Sequence, residues 1–130
     1  MLNNYKSALN AFRMSSKINS NFWQSINNEG LVLYELNYFN EAISKFKTAL
    51  KISNDAEPML ALSIVLYSSD NKSNESLSLA KDALKSNPKY VLTEYQAKQL
   101  WGMKLQKSAQ LLFKTKEMKK IVREAEEKSK

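Results

Sequence analysis

The sequence predicts an all-α chain built from short helix-turn-helix units. Three features carry that expectation: a scarcity of turn-forming residues, an internal period, and apolar side chains spaced three and four apart. Gly30 and Gly102 are the only glycines and Pro58 and Pro88 the only prolines, whereas a chain of many tight β-turns uses more of both. Apolar residues make up 43 % of the 130 residues, enough to build a packed core and to argue against general disorder. This length suits one domain rather than two.

The period is 34 residues. Ala8 and Ala42, Phe12 and Phe46, Ala49 and Ala83, Leu50 and Leu84, Leu33 and Tyr67, and Asn37 and Asn71 all stand one period apart without insertions. Within residues 1–20, Tyr5, Ala8, Leu9 and Phe12 give a helix over 2–18, read as the second helix of an incomplete unit. In 21–54, Asn21 is expected to cap a helix over 22–36, and Ile43, Phe46 and Leu50 give its partner one buried stripe. In 55–88, Asn54 or Asp55 caps a helix over 56–69, with Pro58 tolerated in its first turn. Ser73 caps the next, over 74–86, whose stripe is Leu77, Ala80 and Leu84. In 89–130 helical spacing continues through Ala97, Leu100, Trp101, Leu105, Ala109 and Leu112. Thr115 then caps a last helix carrying Met118, Ile121, Val122 and Ala125 on one face.

The unit from Trp23 to Asn54, with Gly30, Leu33, Phe39, Ala42, Phe46, Ala49 and Leu50, resembles the tetratricopeptide repeat. That resemblance implies a right-handed helix-turn-helix solenoid. Gly30 matches the family's small residue that admits the second helix, and Tyr5 and Phe39 its aromatic opening that helix. Ala8, Ala42, Ala49, Ala83, Phe12 and Phe46 match the interlocking positions. Asn37 and Asn71 stand where the family has a turn glycine, and asparagine is the next best residue for a left-handed position. In 55–88, Ile64, Ser73, Ser76 and Ala80 depart from the pattern, which predicts looser packing or a changed helix angle in that unit. The stretch Tyr90 to Leu105, with Glu94-Tyr95 and Leu100-Trp101-Gly102-Met103-Lys104-Leu105, is similar to the C-terminal extension of uncharacterised tetratricopeptide proteins of cyanobacteria. It is expected to supply C-terminal capping helices over the open end of the array.

Composition removes much chemistry. The chain has no cysteine and no histidine, hence no disulfide, thiolate nucleophile, imidazole base or His and Cys metal ligand. Neither glycine belongs to a phosphate-cradling loop. Glu124, Glu126 and Glu127 alternate with Lys119, Lys120, Arg123 and Lys128 and read as a solvated helix face. No enzyme activity, cofactor or metal is therefore expected. Without a long apolar run or a secretory leader at Met1–Lys6, a cytoplasmic protein with no transmembrane segment is expected. The net charge is +7, and residues 89–130 hold eleven basic and five acidic side chains. Glutamates interrupt the lysines, so nucleic acid is not the expected partner; such a tail binds it only non-specifically, on the order of 10⁻⁴ to 10⁻⁶ M.

A protein or peptide partner is expected instead. In the resembled family the first helix of each unit lines a concave groove, which places Gln24, Asn27, Asn28, Leu31, Tyr34, Glu35, Ala61, Leu62, Val65 and Ser68 on its floor, with Tyr95 nearby. Asn28 matches one asparagine of the family's carboxylate clamp. Asn27, Leu31, Leu92 and Gln96 occupy other clamp positions without a cation, which argues against that specificity. Tyr34 and Leu31, three apart on one helical face, read as recognition residues free of packing duty. Two functions remain open: an interaction module or scaffold, and a structural piece of a longer solenoid whose stripe on residues 2–18 is covered by another copy, giving a homo-oligomer, or by an upstream segment.

Overall fold

The computed structural model describes residues 2–69 and 74–130. Among them the chain forms eight α-helices and two 3₁₀ turns, with no strand. α1 spans Leu2–Ile18, α2 Trp23–Glu35, α3 Phe39–Ser53, α4 Ala56–Ser68 and α5 Asn74–Ser86. A 3₁₀ turn at Pro88–Val91 leads to α6 (Thr93–Lys98) and α7 (Met103–Phe113); a second at Lys116–Met118 leads to α8 (Lys119–Lys128). Sequence neighbours pack in adjacent pairs from α1 to α5, α8 closes on α5 and the first 3₁₀ turn, and α7 folds back onto α4 and α2.

The α2–α3 hairpin follows from three residues. A Cβ at Gly30 would stand 2.6 Å from the Phe46 ring, so the missing side chain is what lets that ring press against the α2 backbone. Phe46, Ala42 and Ala49 are wholly buried. Asn37 adopts a left-handed φ of 71°. Its N–H donates to the Tyr34 carbonyl and the Tyr38 N–H to that of Leu33, the paired closure that ends a helix at a left-handed residue. Asn54, also left-handed at φ 55°, ends α3. Asp55 caps α4 by accepting from the Glu57 N–H at 3.0 Å, and Pro58 falls in the first turn as expected.

α4 is apolar nearly all round, and α3, α5, α7 and α2 all contact it. A helix of that character belongs at the centre of a core. Leu60, Ala61, Ile64 and Val65 are at most 1 % exposed. Ile64, Ser76 and Ala80, the described positions at which the second unit departs from the pattern, are all buried.

Other expectations need correction. Asn21 does not cap α2, which begins after Phe22 without a side-chain cap. The Thr115 hydroxyl donates back to the Leu112 carbonyl at 2.8 Å instead of capping the helix ahead. The stripe of Tyr5, Leu9 and Phe12 is not left bare in the monomer: it packs on the core, with Leu9 only 6 % exposed, and α2 is the main neighbour of α1. The uncovered side of α1 carries Met14 and Ile18. The helix drawn through Ala97 to Leu112 is broken, because Leu100 takes a left-handed φ of 69° and is exposed. Such a conformation costs a β-carbon-bearing residue roughly 1–2 kcal/mol; here it turns Trp101 inward. Asn71 and Ser73, read as turn and cap, lie outside the described residues.

Candidate functional site

Of the ten residues placed on the groove floor by sequence, Asn27, Leu31 and Tyr34 of α2 and Ala61, Leu62 and Val65 of α4 are buried. The reason is α7, whose Leu105, Ala109 and Leu112 are wholly buried in the same core cluster. The reading of Tyr34 as free of packing duty is therefore corrected. Its side chain is 3 % exposed, its hydroxyl lies 2.7 Å from the Ser108 hydroxyl of α7 and 3.5 Å from that of Ser68, and its ring tilts against Phe39 at 5.2 Å. Gln24 and Ser68 remain exposed and Asn28 half-buried at the edge of this face.

Glu35 anchors the start of α7. Its two carboxylate oxygens accept the backbone N–H groups of Lys104 and Leu105, each at 3.0 Å. The first turn of a helix has no internal partner for these donors and carries its positive end, so a carboxylate suits it electrostatically as well as geometrically. Gly102 precedes that turn, and a Cβ there would collide with the Glu35 carboxylate. The Lys104 ammonium reaches the Asn37 side-chain oxygen and sits 5.7 Å from the Phe39 ring.

Beside this anchor lies a buried polar cluster. Trp101 is 3 % exposed and donates its indole N–H to Glu57 at 3.1 Å. Tyr90 stacks on Trp101 at 5.7 Å and meets Tyr95 edge-on at 4.9 Å. Burial raises the Glu57 pKa above the usual carboxylate range, partly opposed by the hydrogen bond from Trp101 and by Asn27 and Tyr90. Burial, then the neighbouring Glu57 charge, pushes the Tyr90 phenol up. Asn27 is wholly buried, and neither polar atom of its amide meets a partner at hydrogen-bonding geometry. Gln96 donates to the Tyr90 carbonyl at 2.7 Å. A carboxyl with a raised pKa is a candidate proton donor, but this one is buried and hydrogen-bonded to the Trp101 indole.

No protein-family model, curated protein or solved structure matches this chain.

Two clefts flank α1. One, of about 400 Å³, is lined by Lys6, Leu9, Arg13, Leu36, Tyr38 and Glu41 among others. Behind it the buried Glu29 ties three helices, accepting from Ser16 at 2.9 Å and lying 3.8 Å from Arg13 and 3.6 Å from Lys45. The other, of about 410 Å³, separates Tyr5 from α7. Among the described residues no group of three Asp or Glu side chains is placed to hold a metal ion, and no helix is long and apolar enough to cross a membrane.

Neither the period nor the helical spacing gives a role to Glu57, Glu29 or Gly102. A signal for the first two was present: each is a lone carboxylate in an otherwise apolar or neutral run, Ala56–Ser68 and Ser25–Tyr34, where burial demands a partner.

Proposed function

We propose that the chain is a protein–protein interaction module of tetratricopeptide type, cytoplasmic and without chemistry of its own. The 34-residue period, the Gly30–Phe46 contact and the left-handed Asn37 turn support the repeat assignment. In that reading α2 and α4 are the inner helices, and α6 to α8 are the capping segment. The observation that carries the function is that the α2–α4 face already holds one helix, α7, with a side-chain anchor at its N-terminus. Helix-in-groove recognition works by such contacts. Because α7 occupies that face, a partner engages the surface α7 presents together with the edge residues Gln24, Asn28 and Ser68.

Affinity capture with the intact chain, followed by titration of the recovered protein, tests the reading. Saturable one-to-one binding is the expected result. A metal-independent turnover abolished by replacing one Asp or Glu would overturn it.

A second reading, self-association, draws on α1. Met14 and Ile18 are 66 % and 85 % exposed and four apart on one helical side. Sedimentation would favour it if the chain dimerises and a Met14→Ser, Ile18→Ser variant does not.

A further inference from the structure

We propose that the cleft between α1 and the outward face of α7 is a docking site for an acidic amphipathic segment of a partner protein. The inference rests on the interaction-module reading and names the partner's chemistry. Met103, Lys107 and Leu111 stand four apart on α7, so they form one line along the helix. Met103 and Leu111 are 65 % and 69 % exposed, although the opposite side of α7 already supplies the buried contacts Leu105, Ala109 and Leu112. Single exposed apolar residues are ordinary; several lining one cleft mark an interaction surface. Tyr5 of α1 forms the facing wall, and the space enclosed is about 410 Å³, enough to admit a few side chains of an incoming segment.

Charge selects the occupant. The cations that line the cleft are Lys104 and Lys107 of α7, and neither α1 nor α7 carries an acidic residue. The one carboxylate in the cleft, Glu35, is engaged by the backbone N–H groups of Lys104 and Leu105. The α7 wall therefore sets two lysines along an apolar line, with the cleft's carboxylate already engaged, the complement of a segment that alternates apolar side chains with Asp or Glu. A second copy of this chain offers no acidic segment of that kind among the described residues, since α8, which carries Glu124, Glu126 and Glu127, also carries Lys119, Lys120, Arg123 and Lys128. A lipid surface suits a convex apolar face better than a cleft between two helices.

The test uses the intact chain and a fluorescent peptide with leucines at heptad a and d positions and glutamates elsewhere, read by anisotropy. A scrambled peptide of equal composition and phosphatidylserine-containing vesicles serve as the other probes. The expected result is saturable binding that weakens at least about tenfold for the scrambled peptide, for Lys107→Glu and for Leu111→Ser, and that falls with added salt. Both substituted residues are exposed, so thermal melts stay at the wild-type temperature. Equal binding of the scrambled peptide, or wild-type affinity in both variants, would overturn the site. So would vesicle binding that depends on Met103 and Leu111. A captured natural partner that binds the Lys107→Glu, Leu111→Ser variant undiminished would remove this site while leaving the interaction-module reading in place; failure of the intact chain to bind any captured protein would remove that reading itself.

Discussion

The hairpins α2–α3 and α4–α5 repeat one another at 34 residues, yet they distribute bulk in opposite ways. The first sets Gly30 on its leading helix and Phe46 on its following one; at the same positions the second sets Ile64 and Ala80. All four are buried, the three with side chains to 1 % exposure or less. The large residue has changed helices while the layer has stayed filled. Close packing constrains the summed volume at a layer more tightly than the identity at one position. The leading helices also divide the polar work. Asn27, Glu29 and Tyr34 of α2 correspond to Ala61, Ser63 and Ser68 of α4, so α2 supplies anchors and α4 an apolar seat. Glu57 is the exception, a buried carboxylate on the apolar helix.

The largest effects should come from removing the bulk itself. Phe46→Ala is expected to cost about 3–5 kcal/mol and Ile64→Ala about 2–5 kcal/mol in urea unfolding, because each empties one layer of its hairpin. A loss below about 1 kcal/mol at either position would mean that the second hairpin is not a volume-swapped copy of the first.

A smaller effect should separate the two leading helices by pH. Glu57 has a folded-state pKa above its ordinary value of 4.5, so the folded chain holds that proton more tightly than the unfolded one. Its contribution to stability is present below pH 4.5 and is lost as pH rises through the higher folded pKa. Glu57→Gln keeps an oxygen for the Trp101 N–H and removes the titration. Thermal melts across pH should show the variant gaining on the wild type from mildly acidic pH upward. Parallel curves would contradict the burial of this carboxylate.

The smallest effect is a reversal of sign. Gly30→Ala should destabilise the wild type, since the new Cβ would meet the Phe46 ring at 2.6 Å. In a Phe46→Ala background the same change should stabilise by roughly 0.5–1 kcal/mol, the ordinary helical advantage of alanine over glycine. Alanine favoured in both backgrounds would show that the ring does not press on Gly30.

What the sequence made legible was local and periodic. The hairpin of Gly30, Asn37 and Phe46, the capping Asp55 and the exposed glutamates of α8 follow from spacing and from the backbone preferences of single residues. What it did not reveal depends on contacts between distant segments. Tyr34 looked free because the residue that covers it, Ser108, lies 74 positions away, and only the return of α7 brings them together. That return hinges on Leu100 in a left-handed conformation that glycine or asparagine normally signals. The apparent irregularity of Ile64 and Ala80 was compensation, visible only when both positions were seen buried together.

Amide hydrogen exchange at Lys104 and Leu105 tests most directly whether α7 fills the α2–α4 face. First-turn amides have no partner within their own helix and normally exchange fast. Here both are bound by Glu35, so they should exchange as slowly as the central amides of α4, opening only with global unfolding, and should lose that protection in Glu35→Ala. Rapid exchange at both positions in the wild type, with α4 still protected, would show that α7 is undocked and the face open.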